Sequence, residues 1–251
     1  MLSSEKNSFV PMSDKSDEAK AVANFGGRLC FAVSLGRDSA VMLHMMSKLT
    51  DLKKHYCFYW SQYPEILPYQ ERYLSIIERL YDIRVNVFLW PDLLKVKQAD
   101  AVRGIMEREG CSLACFAYRM DESLQRRGML KSLTDGIDRK RKWAYPLRSF
   151  TRKSVRAYCQ SNGVPLNIEY KIGLPHDMLT HRGCNALILR HFISEEDYQA
   201  AIRQDPNVEI DYVRLINDRE AFTKIFGDKE QGIAGISKGF RCPNPPPGYK
   251  G

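Results

Sequence analysis

Short apolar runs alternate along this chain with segments of helical period. Leu29–Val33 is a continuous apolar run that ends in the polar turn Ser34-Leu35-Gly36-Arg37-Asp38-Ser39. Apolar residues then recur at Val41, Met42, Met45, Met46 and Leu49. The pattern predicts a strand over 28–33, a tight turn and an amphipathic helix over 38–49. Alternation predicts a second strand over 55–60, and Tyr69, Tyr73, Ile76, Ile77 and Leu80 predict a helix over 66–81. A third strand follows at 85–89, closed by Trp90-Pro91-Asp92. A less regular helix is expected over 92–110, strand four over 111–118, strand five over 143–147, and a helix over 151–161 stopped by Asn162-Gly163. Strand alternating with helix predicts an α/β fold, a parallel five-stranded sheet with helices on both faces. Before it, Ser13 or Ser16 opens a short helix to Asn24. After it comes a C-terminal helical extension, with helices at 195–204 and 211–226 and a Gly/Pro-rich flexible tail. One domain is expected over 1–251: a core at 26–165 and the extension and tail at 166–251.

Composition narrows the class. The chain of 251 residues is 44% hydrophobic and 27% charged, ordinary for a globular protein. Its first twenty residues are polar, and no apolar run approaches the roughly 18 residues that span a bilayer. The expected location is the cytoplasm, with no membrane partner. The net charge of +8 suits an anionic ligand. Much of the excess lies between Arg126 and Arg156, where eleven Lys and Arg face only Asp135 and Asp138. This is either a solvated basic face or a contact for phosphate or nucleic acid. The seven cysteines form no disulfide framework. Cys30, Cys57 and Cys159 sit in core-like contexts, whereas a metal site would have to combine the C-x3-C pair Cys111 and Cys115 with distant Cys184 and Cys242.

Two polar clusters carry candidate chemistry. The turn after strand one gathers backbone N–H groups at a helix N-terminus, where four donors lack intrahelical partners and the dipole is positive. Phosphate binds such places; Arg37 would add a charge, and Ser34 and Ser39 would add hydroxyl donors. The same residues also fit an ordinary turn capped by Asp38. In a parallel sheet the ends of neighbouring strands should share the site, which points to Ser61 after strand two and to Tyr118-Arg119-Met120-Asp121-Glu122-Ser123 with Arg126 after strand four. Arg119 suits bidentate phosphate or sulfate contacts. The alternative is a capped helix start, with Asp121 or Ser123 as cap and Arg126 paired to Glu122.

Together these segments carry a resemblance. SLGRDS resembles the S-G-G-x-D-S loop of the adenine nucleotide alpha-hydrolase superfamily, the PP-loop ATP pyrophosphatases. Ser34, Gly36, Asp38 and Ser39 match, and Leu35 replaces the first Gly. ACFAYRMDESLQRR is similar to the G-x-R-x-x-E-S-x-x-R segment of phosphoadenosine phosphosulfate (PAPS) reductase-like proteins, through Arg119, Glu122, Ser123 and Arg126. YPLRSFTRKSVRAY resembles their P-x-x-x-W-T-x-x-D-V-x-x-Y segment through Pro146, Thr151, Val155 and Tyr158. The resemblance covers residues 28–170 and implies a Rossmann-like fold.

It further implies an adenine nucleotide, ATP or PAPS, with Mg2+ as companion ion and no iron–sulfur cluster. The implied enzyme is a PAPS reductase-like oxidoreductase of sulfur metabolism or an ATP pyrophosphatase, as in phage or mobile-element relatives. Nucleotide contacts fall to Ser34, Gly36, Arg37, Asp38, Ser39, Ser61, Arg119, Glu122 and Arg126, with Asp38 and a tail cysteine, Cys242, as catalytic candidates. The reductases' E-C-G-x-H tail pattern is absent, so Cys184 stays a second thiol candidate. Alternatives are an ATP-activating component of nucleic-acid thiolation or phosphorothioation, and a nucleotide-binding module without catalysis. The corresponding partners are a thiol donor protein, nucleic acid through 126–156, and a second copy of the chain as a homodimer.

Overall fold

The computed structural model describes residues 17–61, 66–89, 97–167 and 194–204, with single positions 206, 207, 209, 210, 213 and 217. A short helix α1 (Asp17–Ala23) precedes β1 (Arg28–Val33), α2 (Arg37–Ser47), β2 (Tyr56–Trp60), α3 (Pro68–Tyr81) and β3 (Val85–Phe88). Then come α4 (Gln98–Arg108), β4 (Cys111–Cys115), α5 (Leu124–Lys131), β5 (Ile137–Asp138), β6 (Trp143–Ala144), α6 (Arg152–Asn162) and α7 (Glu195–Gln204). The sheet order is β3-β2-β1-β4-β6-β5, all pairs parallel except β5–β6. The fold is thus a Rossmann-like α/β fold, with six strands rather than the expected five. The extra strand is two residues long, set in the charged segment Ile137–Lys142, so it leaves no alternation in the sequence. Its turn closes through the Arg141 N–H donating to Asp138 Oδ1 at 3.0 Å and a left-handed Lys142 at φ 57°. Gly136 enters it at φ 73°, where a Cβ would lie 2.9 Å from the Tyr145 carbonyl oxygen. Helix α5, seen in the sequence only as an alternative helix start, is real.

Side-chain alternation along the strands divides the core. Leu29, Phe31 and Val33 of β1 join Cys57, Tyr59, Leu113 and Cys115 beneath α2, α3 and α6, packing on Met42, Met46, Tyr73, Ile77, Val155 and Tyr158. Cys30, Tyr56, Phe58, Ala114 and Phe116 face the other way, onto Val102, Ile105 and Met106 of α4 and Leu130 of α5. Each fully buried Val, Leu, Ile, Phe or Met among them contributes roughly 1.5–3 kcal/mol. After β3 the chain crosses to the opposite face through α4 and returns beside β1. The strand order therefore reverses between β1 and β4, and a ligand crevice belongs outside their carboxyl ends.

The α7 helix caps α3. Leu67, which precedes that helix, has no side-chain acceptor. Gln70 Oε1 accepts the Leu67 N–H at 3.2 Å, and the fully buried Asp197 of α7 accepts the Tyr69 N–H at 2.7 Å. Asp197 also pairs with Arg72 at 2.5 Å and accepts the Ser194 hydroxyl at 2.6 Å. The predicted helix at 211–226, the loop after Asn167 and the tail lie outside the described residues, isolated positions excepted. Replacing Asp197 by Ala removes a cap and a buried acceptor, so urea denaturation should show a loss of about 1–2 kcal/mol. Unchanged stability would show that α7 does not hold α3.

Candidate functional site

A crevice of about 420 Å³ opens at the switch point. The start of α2 supplies Arg37 and Asp38, the β4–α5 connection supplies Arg119, Asp121, Glu122 and Ser123, α5 supplies Arg126, and the start of α6 supplies Arg152 and Val155. Three helix N-termini therefore converge on one space. The Ser123 hydroxyl caps α5 by accepting the Arg126 N–H at 3.1 Å, and Thr151 caps α6 by accepting the Ser154 N–H at 3.1 Å. Helix α2 begins after Gly36 with no side-chain cap. Asp38 is inside its first turn, which overturns the reading of Asp38 as N-cap. Converging positive dipole ends favour an anion.

A buried arginine organises the walls. Arg119 is only 6% exposed. Its Nε lies 3.1 Å from Asp38 Oδ1, its Nη2 donates to Asp38 Oδ2 at 3.4 Å, and its Nη1 donates to Asp121 Oδ1. Asp121 Oδ2 in turn accepts the Arg152 N–H at 2.6 Å, which ties the start of α6 into the same network. Glu122 pairs with Arg126 Nε at 3.1 Å. The Arg126 guanidinium lies flat on Tyr118, 3.4 Å from the ring centre, and its Nη1 is buried without a hydrogen-bond partner among the described residues. Burial pushes the Glu122 carboxyl above its ordinary range, against the pull of Arg126. Four arginines face three carboxylates in the crevice.

The structure brings together Arg37, Asp38, Arg119, Glu122 and Arg126, as the sequence led one to expect, and adds Asp121, Ser123 and Arg152. Ser34, Gly36 and Ser39 shape the turn and do not line the crevice: Ser39 Oγ accepts the Ser34 N–H at 2.9 Å, and Ser34 Oγ accepts the Gly36 N–H at 3.2 Å. Leu35 carries no left-handed backbone; the non-glycine residues with positive φ among those described are Asp82 and Lys142. Its side chain instead packs against the core. Ser61 is buried at the end of β2, its N–H donating to the Phe88 carbonyl at 2.9 Å, away from the crevice lining. Asp121 and Arg152 were visible only as a cap candidate and as one of many basic residues. Their pairing spans 31 positions.

Cys242 and Cys184 lie outside the described residues. Cys111 and Cys115 open and close β4, about 13 Å apart at strand rise, too far to chelate one ion as a pair. Cys159 feels both Arg37 and Asp38, yet burial pushes its thiol up to about 11. Among the described residues no three His, Cys, Asp or Glu side chains gather to hold a metal ion. Asp38, Asp121 and Glu122 are turned to arginines, a set that does not fit a resident Mg2+. No described helix is long and apolar enough to cross a membrane.

No protein-family model and no curated protein matches the sequence. Among solved structures the chain is similar to a PAPS reductase from Candida auris in a phosphate complex, at 12% identity over 66% of this chain and 88% of that one, TM-score 0.43. It is also similar to the U34-tRNA thiolase NcsA from Methanococcus maripaludis with its 4Fe-4S cluster, at 12% identity over 90% and 78%, TM-score 0.43. A third similarity is to the NH3-dependent NAD synthetase from Campylobacter jejuni, at 12% identity over 80% and 94%, TM-score 0.43.

Removing the buried guanidinium strands two carboxylates, so Arg119→Met should lose roughly 3 kcal/mol of stability in denaturant titration. Arg126→Met, which removes a half-buried guanidinium paired with Glu122 alone, should lose less, about 1 kcal/mol. Equal losses in the two variants would contradict the role of Arg119 as the network's hub.

Proposed function

We propose that the crevice holds the phosphates of an adenine nucleotide, ATP, adenylyl sulfate or PAPS, and that the protein is a PAPS reductase-like member of the adenine nucleotide alpha-hydrolase superfamily acting in sulfur transfer. The observation that supports this reading is the convergence of three helix N-termini and four arginines at the β1–β4 switch point. The adenine is assigned from the resemblance of SLGRDS and the two later segments. In this reading the start of α2 receives phosphate oxygens, while Arg37, Arg126 and Arg152 neutralise charge that develops as a phosphate or sulfur centre is attacked. Arg119 holds Asp38 and Asp121 in place. The described residues around the crevice offer arginines, carboxylates, a serine and a valine, and the Cys159 thiol is buried and protonated. The attacking group is then an external acceptor or a thiol from beyond the described residues, such as Cys242. The second reading, an ATP-activating component of nucleic-acid modification, draws on the exposed Arg127, Lys131, Arg139, Lys140, Arg141 and Lys142.

Calorimetric titration with ATP, AMP, adenylyl sulfate and PAPS, with pyrophosphate and sulfite release followed in parallel, separates these readings. Binding of at least one is expected, weakened by one to two decades in Arg126→Met, about the value of a charge-assisted hydrogen bond. Sulfite release supports the reductase and pyrophosphate release the ATP-activating reading; binding without either marks a nucleotide-binding module. No binding of any of the four would refute the proposal.

Glu122 adds a pH signature. Phosphate beside it raises an already high carboxyl pKa further, so binding is tighter when Glu122 is protonated. Glu122→Gln should therefore bind ATP more tightly than wild type at neutral pH, with the gap closing as pH falls through the raised range of the Glu122 carboxyl. A gap that is absent or unchanged with pH would place the phosphates elsewhere.

A further inference from the structure

A second cavity, of about 500 Å³, lies between α4, the Gly110 turn that leads into β4, and the β5–β6 turn. Cys111 opens β4 there, whereas Arg119 follows the other end of that strand, so the two cavities sit towards opposite ends of the sheet. Arg103, Lys140, Arg141 and Lys142 surround this cavity against a single acid, Glu107. Two of the four cations are partly answered, Arg103 by Asp100 at 3.1 Å and Arg141 by Asp138 at 3.3 Å. Lys140 and Lys142 have no ion-pair partner among the described residues. Lys142 is moreover held in the left-handed region, at φ 57°.

The rest of the lining is apolar. Met106 and Trp143 form part of it, and the Trp143 ring packs on Phe116 with centroids 5.1 Å apart while the Arg141 guanidinium lies 5.9 Å from its centre. We propose that this cavity is a second binding site, for a small organic phosphate whose ring or hydrocarbon part rests on Met106 and Trp143 and whose phosphate meets Lys140 and Lys142. A bare anion would leave the apolar lining unused. A volume of 500 Å³ is that of a small-molecule pocket, and compact ammonium groups on a turn are suited to a phosphate's charge. The proposal is independent of the nucleotide reading, which concerns the other end of the sheet.

Phenyl phosphate, inorganic phosphate, phenol and a single-stranded oligonucleotide are titrated by calorimetry into the full chain and into the Lys140→Glu/Lys142→Glu variant. Both lysines are solvent-exposed, and circular dichroism and melting check that the variant is folded. Phenyl phosphate should bind at least about tenfold more tightly than either phosphate or phenol, and the variant should weaken it by about tenfold or more. In the same variant the first, tighter ATP transition at the switch-point crevice should persist while a weaker second one is lost; loss of the first transition would show that the two sites are not separate. Phenyl phosphate binding equally well to the variant overturns the proposal, as does inorganic phosphate matching phenyl phosphate. Oligonucleotide binding that is lost in the variant while phenyl phosphate binds neither protein overturns it in favour of a nucleic-acid surface.

Discussion

The buried guanidinium of Arg119 is the constraint on which the site depends. A charge removed from water persists only when it is paired and hydrogen-bonded. Arg119 is ion-paired with Asp38 from the start of α2 and hydrogen-bonded through its two Nη atoms to Asp38 and to Asp121 from the β4–α5 connection, its buried Nε alone having no hydrogen-bond partner among the described residues, and Asp121 passes the restraint to the first N–H of α6. One side chain thus fixes three segments that are remote in sequence. It keeps two helix N-termini aimed at one crevice. The remaining carboxylate, Glu122, anchors Arg126, whose guanidinium is held flat by the Tyr118 ring.

Much of this was legible in the sequence because it is local. Strand β1 and the following helix were readable from one apolar run and one 3.6-residue period, and the observed β1, Arg28–Val33, has the expected bounds. The pairing of Glu122 with Arg126 follows from helix spacing, and of the two cap candidates, Asp121 and Ser123, the structure uses Ser123. Arg37, Asp38 and Arg126 could be placed at the site because a parallel sheet puts its ligand at strand ends. What could not be read was non-local. The Arg119–Asp38 contact spans 81 positions and the Arg72–Asp197 contact 125, and no periodicity reports either. The sixth strand escaped for a different reason: two residues within a charged hairpin make no pattern. Ser61 stands apart from the crevice lining because a strand end need not face the crevice; its place beside β3 is set by the backbone bond to Phe88.

The charge of the chain also acquires a geography. Its excess of eight positive charges is not a uniform field. Part of it stands around the switch-point crevice, largely compensated by three carboxylates, and part stands uncompensated on the β5–β6 turn at the other end of the sheet. Compensated charge shapes a selective pocket, because each arginine is held in one orientation. Uncompensated lysines attract anions with little directional demand and respond more strongly to salt.

The central claim is that phosphate oxygens sit at the first turn of α2. Backbone amide resonances of the uniformly labelled full chain, followed by NMR during an ATP titration, test it most directly. The account predicts the largest and saturable shifts at Gly36 to Ala40 and at Arg152, with Gly110 and Cys111 unmoved until the first transition is complete. Shifts confined to Gly110, Cys111 and the Lys140–Trp143 turn, with residues 36–40 unmoved, would contradict it.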